Sequence, residues 1–222
     1  MKEQLHTTTI TFPEIKLQTR DAHKLRGYFG NLFKTHSPLL HNHLEGGGPR
    51  YRYPLVQYKV VDHIPMLIGF NEGAELLTSL FLKIQEIKID QKTYPVYSKN
   101  IQNKNWTIGI DQDLHHYTYK TLWMALNQVN YKEYLKADPT EQSRQLKAIA
   151  TSNILAFYKS FKCYLSKEER ILMSLNTEEK STKFKNQSMT VFNGSFTTNA
   201  LLPDFAGIGK SVSRGFGTIR KL

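Results

Sequence analysis

Two histidines separated by one residue, His41 and His43, are the side chains of this sequence best suited to acid–base chemistry. Imidazole accepts or donates a proton near neutral pH, so one ring can act as general base and the other as general acid. Arg50, Tyr51 and Arg52 follow shortly after, and such groups suit the stabilisation of charge on a reacting phosphate. The combination favours metal-free RNA cleavage, in which a ribose 2′-hydroxyl attacks the adjacent phosphate.

The same histidine pair has two other interpretations. It matches a spacing of zinc ligands, although the one cysteine, Cys163, is distant and Glu45 is the one close carboxylate. It is equally compatible with two solvated loop histidines. We predict no metal and no cofactor here.

A rival constellation consists of two His-x-Thr triplets, which begin at His6 and at His116. Such triplets are typical of two-histidine phosphoesterases, which act on small cyclic phosphates and place each triplet on a strand. We expect a helical stretch directly after His116, which disfavours this alternative.

The C-terminal sequence PDFAGIGKSVSRGFGTIRKL concentrates glycines and cations. Its glycines are Gly207, Gly209, Gly215 and Gly217, and Lys210 and Arg214 lie between the two pairs. Glycine allows backbone N–H groups to approach a phosphate closely because it has no Cβ. Asp204 and Val212 occupy positions where a P-loop and a dinucleotide fingerprint would need glycine, so a nucleic-acid backbone is the expected ligand. The alternative is a structural loop that closes the C-terminal sheet.

The composition supports an anionic partner. The 222 residues contain 30 basic and 19 acidic side chains, a net charge of +11. Hydrophobic residues make up 40%, enough for a packed core, and no apolar stretch approaches the roughly 20 residues of a membrane span. The N-terminal sequence lacks the apolar region of a secretory signal, so we expect a cytoplasmic protein.

The first half of the chain has the pattern βαββαβ. Its expected strands and helices are His6 to Phe12, Thr19 to Phe33, Leu55 to Val61, Met66 to Phe70, a helix capped by Asn71, and Glu86 to Ile89. The polar stretch from Ser98 to Asn105 follows. We therefore place a domain boundary near residue 103, which gives domains 1–103 and 104–222.

The second half is expected to repeat this mixed α+β pattern with extra helix. A strand is predicted at Trp106 to Ile110, helices at Tyr117 to Leu135 and Glu141 to Leu165, and a strand at Ile171 to Leu175. Asn193-Gly194 lies between two alternating segments, which predicts a two-residue hairpin turn.

Three segments carry a resemblance to a known family. They are LLHNHLEGGGPRYRYPLVQYKV, PMLIGFNEGAELL and PDFAGIGKSVSRGFGTI. Together they resemble the CRISPR repeat-processing endoribonucleases of the RAMP superfamily, in the subgroup with an HxH pair before an RYxYPLxQYK strand. The likeness covers the N-terminal half through Leu77 and the last 30 residues, whereas residues 98 to 185 match in general character alone.

The resemblance implies an α+β protein of tandem ferredoxin-like (RRM-like) domains. It implies binding of the repeat RNA in a CRISPR precursor transcript and one cut per repeat. The cut would need no metal and would leave a 2′,3′-cyclic phosphate and a 5′-hydroxyl. His41 and His43 become the acid–base pair and Tyr51 an assisting group, with Tyr53 and Tyr28 as alternatives to Tyr51.

The resemblance also assigns the RNA contacts. Gly207, Gly209, Gly215 and Gly217 form the RNA-backbone loop with Lys210 and Arg214, and we add Arg50 and Arg52 as RNA-binding residues. The expected partners are precursor RNA and other subunits of a CRISPR effector complex, for a monomer or homodimer. The principal alternative is an RNA-binding subunit of a ribonucleoprotein that does not cut.

Overall fold

The computed structural model of the chain describes residues 2–33, 53–184 and 187–222. The strands in this part of the chain are β1 (Glu3–Thr11), β2 (Val56–Val61), β3 (Ile64–Phe70), β4 (Glu86–Ile89), β5 (Lys92–Pro95), β6 (Asn100–Tyr119), β7 (Met173–Phe184), β8 (Gln187–Leu201) and β9 (Ile219–Lys221). The helices are α1 (Ala22–Leu32), α2 (Glu72–Leu80), α3 (Gln128–Lys136) and α4 (Pro139–Ser160). A 3₁₀ turn occupies Val212–Arg214.

These residues form two compact units. The N-terminal unit comprises Gln4–Trp106 together with Val212–Gly215. The C-terminal unit comprises Thr107–Ser211 and Phe216–Leu222, with the first residues of the chain. The domain boundary expected near residue 103, between domains 1–103 and 104–222, stays a prediction.

The sheet of the N-terminal unit has the strand order of a ferredoxin-like fold. Its order is β2-β3-β1-β6, and β3 pairs antiparallel with both β2 and β1. The helices α1 and α2 connect β1 to β2 and β3 to the later strands, which gives the predicted βαββαβ arrangement. The first part of β6 is the fourth strand, where Thr8 donates a hydrogen bond to Asn103 Oδ1 over 2.7 Å.

The fourth strand was expected at Glu86 to Ile89, and this expectation is wrong. Those residues do form a strand, β4, but it pairs with β5 in a separate two-stranded sheet. The fourth strand of the unit begins at Asn100, inside the polar stretch at which the domain boundary was placed. Residues 100–105 are exposed on both faces, so their sequence lacks the alternation that marks a half-buried strand.

The core of the N-terminal unit forms where α1 packs on one face of the sheet. Val56, Tyr58 and Val60 alternate along β2 and point into this core with Leu25 and Phe29 of α1. A period of two on the strand and of about 3.6 on the helix brings these side chains to one face of each element. The alternation in the sequence therefore predicts β2 and α1 correctly.

Asn71 precedes α2 as predicted, but its side chain does not cap the helix. The Asn71 Oδ1 atom accepts a hydrogen bond from the His6 N–H over 3.1 Å. The Asn71 backbone carbonyl instead accepts from the N–H groups of Ala74 and Glu75, at 2.8 and 3.1 Å. The residue thus links β1 to the start of α2.

The C-terminal unit repeats the strand order with a different set of connections. The order of its strands is β9-β6-β8-β7, the counterpart of β6-β1-β3-β2 in the first unit. Both α3 and α4 lie between β6 and β7, which confirms the predicted extra helix. The position of a second crossover helix, between β8 and β9, is occupied by the glycine-rich segment. Tandem ferredoxin-like units are therefore confirmed.

The predicted helix from Tyr117 to Leu135 is wrong in its first part. Tyr117 and Tyr119 are buried residues of β6, and α3 begins at Gln128. Asn127 caps α3 by accepting from the N–H groups of Val129 and Asn130, both at 2.9 Å. Aromatic residues at alternate positions fit a strand as well as a helix, so this short run was ambiguous.

The hairpin predicted at Asn193-Gly194 is also wrong. Both residues lie within the continuous strand β8, where Gly194 pairs with Thr177. Gly194 has φ of +135°, and a Cβ there would lie 2.1 Å from the Asn176 carbonyl oxygen. Close approach of two strands requires this glycine, and the sequence signal resembles that of a turn.

Candidate functional site

The predicted acid–base pair, the assisting tyrosine and the two arginines beside it lie outside the described part of the chain. This holds for His41, His43, Arg50, Tyr51 and Arg52. Their assignments stay predictions.

The residues on either side of this segment are fixed in the N-terminal unit. Phe33 stacks on Phe29 with a centroid distance of 6.2 Å, and Phe29 stacks on Tyr58 at 6.0 Å. On the other side, the Tyr53 ring contacts Phe70 edge-on at 5.8 Å. Aromatic packing of this kind adds to ordinary burial, so Phe33 and Tyr53 both belong to the packed N-terminal unit.

The two alternative tyrosines have structural contacts of their own. The Tyr28 hydroxyl donates a hydrogen bond to the Glu86 carbonyl oxygen over 2.9 Å, and burial raises the pKa of Tyr28. Tyr53 packs on Phe70 as described. Tyr28 therefore joins α1 to β4 in the free protein.

Lys59 is a buried cation on β2 that sequence reasoning did not single out. It lies with Gln57 on the sheet face opposite Tyr58, and both Lys59 and Gln57 are fully buried. Burial lowers the pKa of Lys59 to about 7, because removal from water disfavours the charged form. The Gln57 amide donates to the Pro54 carbonyl oxygen over 3.3 Å. In the sequence, this alternation marks a polar strand face and gives no sign that the face is covered.

The glycine-rich segment contains three glycines at positive φ where an added Cβ would overlap with neighbouring protein atoms. A Cβ on Gly209 would lie 2.7 Å from the Trp123 ring, and one on Gly217 would lie 2.0 Å from the Ile208 carbonyl oxygen. A Cβ on Gly215 would lie 2.6 Å from the Ala22 Cβ atom. Both the backbone conformation and the lack of space require glycine at these three positions.

Several N–H groups of the segment already donate to protein acceptors. The N–H of Ile208 donates to Gly217, and the N–H of Gly217 donates to Leu122, both over 2.8 Å. The N–H of Lys210 donates to Met124 over 3.0 Å. These bonds support the alternative in which the segment closes the C-terminal unit, so structure and RNA contact must be tested separately.

The solvent-accessible part of the segment is its centre. Gly207, Gly215 and Gly217 are buried, whereas Gly209, Lys210 and Arg214 are half-buried. Any contact with an external phosphate in the free structure's conformation is therefore expected between Gly209 and Arg214. This region contains both cations that the sequence marks for phosphate contact.

The rival histidines are both on strands. His6 Nδ1 lies 2.8 Å from Asn105 Oδ1, and His116 Nδ1 lies 2.8 Å from Thr197 Oγ1. The expected helix after His116 is absent from the described residues, because β6 continues to Tyr119. Each imidazole has a neutral polar partner within its own unit.

The described ranges contain neither a grouping of metal-ligating side chains nor a membrane-spanning helix. Within residues 2–33, 53–184 and 187–222, no three His, Cys, Asp or Glu side chains are grouped to hold a metal ion. No helix in those ranges has the length and apolar character needed to span a membrane.

The fold and the segment between β8 and β9 define a class of protein. Two ferredoxin-like units of the same strand order, with a glycine-rich connection in the second, match the architecture that the resemblance to the RAMP superfamily implies. Family models match the chain over both units: the Cas6b N-terminal domain over residues 3–107 and the Cas6b C-terminal domain over residues 109–222. The chain belongs to the Cas6b family, which confirms the resemblance to CRISPR repeat-processing endoribonucleases.

Solved structures agree with this assignment. A crystal structure of Cas6b is 35% identical to this chain with a TM-score of 0.93. The match covers 99% of this chain and 100% of the chain in that structure. A crystal structure described as the CRISPR RNA processing endoribonuclease Cas6b is 32% identical with a TM-score of 0.80 and the same coverage. An uncharacterised protein of Methanocaldococcus jannaschii is 30% identical over 140 residues, which are 63% of this chain and 95% of that protein.

Proposed function

We propose that this protein is a metal-independent endoribonuclease that binds CRISPR repeat RNA and cuts the precursor transcript once per repeat. Family membership over both units is the observation that carries the proposal. A relative of known structure, 32% identical, is described as a CRISPR RNA processing endoribonuclease. The net charge of +11 agrees with a polyanionic substrate.

The proposed reaction is transesterification by general acid–base catalysis. One of His41 and His43 removes the proton of the 2′-hydroxyl, whose oxygen attacks the adjacent phosphorus. The bond from phosphorus to the 5′-oxygen breaks, and the other histidine protonates that oxygen. The products are a 2′,3′-cyclic phosphate and a 5′-hydroxyl, and no water is consumed. Tyr51 assists by orienting a reacting group.

RNA positioning is assigned to the two basic segments. Arg50 and Arg52 are proposed to bind RNA beside the histidines. Lys210 and Arg214 are proposed to contact phosphates next to the glycines of the C-terminal segment, where both side chains are half-buried. Phosphate contacts of this kind fix the register of an RNA without reading its bases.

The first experiment asks whether cutting occurs without metal and by this chemistry. Repeat RNA from the host's CRISPR array is incubated with the protein in EDTA. We expect one cut per repeat, a 3′ fragment that polynucleotide kinase phosphorylates at its 5′ end, and a 5′ fragment with a cyclic phosphate. A 2′-deoxy nucleotide at the cut should abolish cleavage. Loss of activity in EDTA with recovery on zinc addition would show that the histidine pair is a metal site.

The same experiment decides between the remaining candidates. Tight binding of repeat RNA without cleavage would establish a non-catalytic RNA-binding subunit of a ribonucleoprotein. Activity on small cyclic phosphates that depends on His6 and His116 would establish the phosphoesterase. We further propose a cytoplasmic protein, monomeric or homodimeric, that associates with other CRISPR effector subunits.

A second experiment tests the cations of the glycine-rich segment. Each lost phosphate contact should reduce the slope of log K against log[salt] by about 0.7–0.9. The double variant Lys210→Ala, Arg214→Ala should bind RNA more weakly and with a shallower slope. Saturating RNA should restore part of its cleavage rate, because the histidines remain. An unchanged slope in the folded variant would leave the segment with a structural role alone.

A further inference from the structure

The 3₁₀ turn of the glycine-rich segment packs against two elements of the N-terminal unit. Gly215, which follows the turn, is buried, and a Cβ there would lie 2.6 Å from Ala22 Cβ and 3.3 Å from the Tyr58 carbonyl oxygen. Ala22 is the first residue of α1, and Tyr58 lies on β2, the edge strand of the sheet. The first turn of α1 and the edge of β2 therefore fix the position of Arg214.

Arg26 lies one helical turn beyond Ala22 on α1. Residues four apart share a helix face, so Arg26 extends the face that meets the 3₁₀ turn. Burial, and after it the positive charge of Arg26, lowers the pKa of Arg214. The same charge opposes the effect of burial on the pKa of Tyr58. Arg26 is thus close enough to act electrostatically on both elements that surround the turn.

Arg26 and Arg214 are both half-buried, and the packing of Gly215 on Ala22 brings the elements that carry them into contact. The positive charge of Arg26 contributes to the lowered pKa of Arg214, and an anion bound by both groups would offset this repulsion. Guanidinium groups bind phosphate oxygens through paired N–H donors, which a lysine ammonium cannot do with the same geometry. A phosphodiester carries one charge and two free oxygens, enough for one arginine on each oxygen.

We propose that Arg26 and Arg214 together bind a single phosphate of the RNA backbone, so that α1 contributes an RNA-binding residue. The proposal rests on the proposed function, because it takes the repeat RNA as the source of the phosphate. The proposed contact involves the turn between β8 and β9 and the helix α1, which precedes the histidine segment in the sequence. A phosphate bound by both arginines would have a fixed position relative to α1, the helix that precedes His41 and His43 in the chain.

The test measures binding of repeat RNA with a 2′-deoxy nucleotide at the cut, as a function of salt. The proteins are the wild type, Arg26→Gln, Arg214→Gln and the double variant. If the two arginines share one phosphate, the double variant loses about 0.7–0.9 in salt slope, the value for one contact. Its loss of affinity falls short of the product of the two single losses, because the sites are coupled.

Arg144→Gln is the matched control. Arg144 lies on α4 of the C-terminal unit, is 78% exposed and forms an ion pair with Glu141. The variant Arg144→Gln removes the same charge at a residue outside the proposed phosphate contact. Its salt slope should therefore equal that of the wild type. The melting temperature of free Arg26→Gln is measured as well, so that its RNA affinity and salt slope are compared with the wild type at a temperature at which both proteins are folded.

Three results would overturn the proposal. They are a wild-type slope and affinity in Arg26→Gln, a double variant whose losses equal two independent contacts, and stabilisation by inorganic phosphate that requires both arginines while RNA binding does not. Each of these is distinguishable from failure of the proposed function. A wild-type protein that binds repeat RNA without cutting it refutes the nuclease, and the slopes still decide the phosphate contact.

Discussion

The two ferredoxin-like units share a strand order but differ in the second crossover. In the N-terminal unit this connection includes α2, which buries Ala74 and Leu77 and satisfies most of its backbone internally. In the C-terminal unit it is the glycine-rich segment, whose backbone bonds reach other parts of the chain, such as Gly217 to Leu122. A helix can be replaced by such a segment when glycines permit close backbone contact, and the accessible centre of the segment then remains available to a ligand.

The units also differ in the chemistry assigned to them. The N-terminal unit leads into and out of the histidine segment, whereas the C-terminal unit provides most of the glycine-rich segment. Substitutions in the histidine segment should therefore lower the cleavage rate, whereas substitutions in the glycine-rich segment should lower affinity or stability.

The largest effect is expected for the histidines. His41→Ala and His43→Ala should each lower the single-turnover cleavage rate by about 10²–10⁴-fold, the usual contribution of a general acid or base. RNA affinity should change far less, because a neutral imidazole contributes no full charge. Rates and binding curves on the same variants, with His6→Ala and His116→Ala as controls, decide the matter. Wild-type rates in both His41→Ala and His43→Ala would show that the histidine segment takes no part in the cleavage reaction.

The second effect is a loss of stability in the glycine-rich segment. Gly217→Ala places a Cβ 2.0 Å from the Ile208 carbonyl oxygen at a φ of +62°. The strained backbone and the overlap should lower the free energy of unfolding by about 2–4 kcal/mol. Urea unfolding measures this loss. A variant of wild-type stability would mean that the segment relaxes freely and is not a fixed connection between β8 and β9.

The third prediction concerns the pH dependence that Lys59 confers on the N-terminal unit. Its pKa is about 7 in the folded protein, against an ordinary 10.5. Between these values the unfolded chain binds the proton more tightly, so the free energy of unfolding should rise with pH across this window. The contribution is about 1 kcal/mol per pH unit in the middle of the window.

Lys59→Met tests this contribution, and Lys88→Met is its control because Lys88 is 53% exposed. Unfolding by urea is measured from pH 7 to pH 10 for all three proteins. Relative to the wild type, Lys59→Met should gain stability at pH 7 and lose this gain towards pH 10. Parallel curves for the wild type and Lys59→Met would show that Lys59 keeps its charge when the protein folds.

The sequence predicted the elements in which apolar residues recur at a regular spacing. The strands β1 to β3 and the helix α1 alternate or repeat cleanly, so their positions were predicted. The first part of β6 was missed because both of its faces are exposed, and Gly194 was misassigned because a close strand approach and a turn both select glycine. Periodicity of residue types therefore predicts a strand or helix where apolar residues recur, and it gives no signal in a fully exposed stretch such as residues 100–105.

The candidate site divides in the same way. The cations of the glycine-rich segment were visible as residue types, but the structural need for its glycines depends on Trp123 and Ile208, which the sequence does not connect to them. The alternation along β2 places Lys59 on a polar strand face, whereas its burial depends on the atoms that cover this face. Arg26 became a candidate through the packing of Gly215 on α1, a contact between residues almost 200 positions apart.

The smallest effect is expected at a glycine of the N-terminal unit where an added Cβ would contact no other atom. Gly27 lies in the middle of α1, is exposed, and a Cβ there would have no atom within 4 Å. Gly27→Ala should therefore raise the free energy of unfolding by about 0.5–1 kcal/mol, because alanine restricts the unfolded chain and favours the helix. Urea unfolding of Gly27→Ala and Gly217→Ala in parallel gives opposite signs for the same chemical change. RNA affinity and cleavage should be unaffected in Gly27→Ala, since Gly27 offers no side chain and its N–H is within the helix. Destabilisation by Gly27→Ala would mean that α1 bends or moves in a way that needs glycine, and the contrast between the two units would then fail.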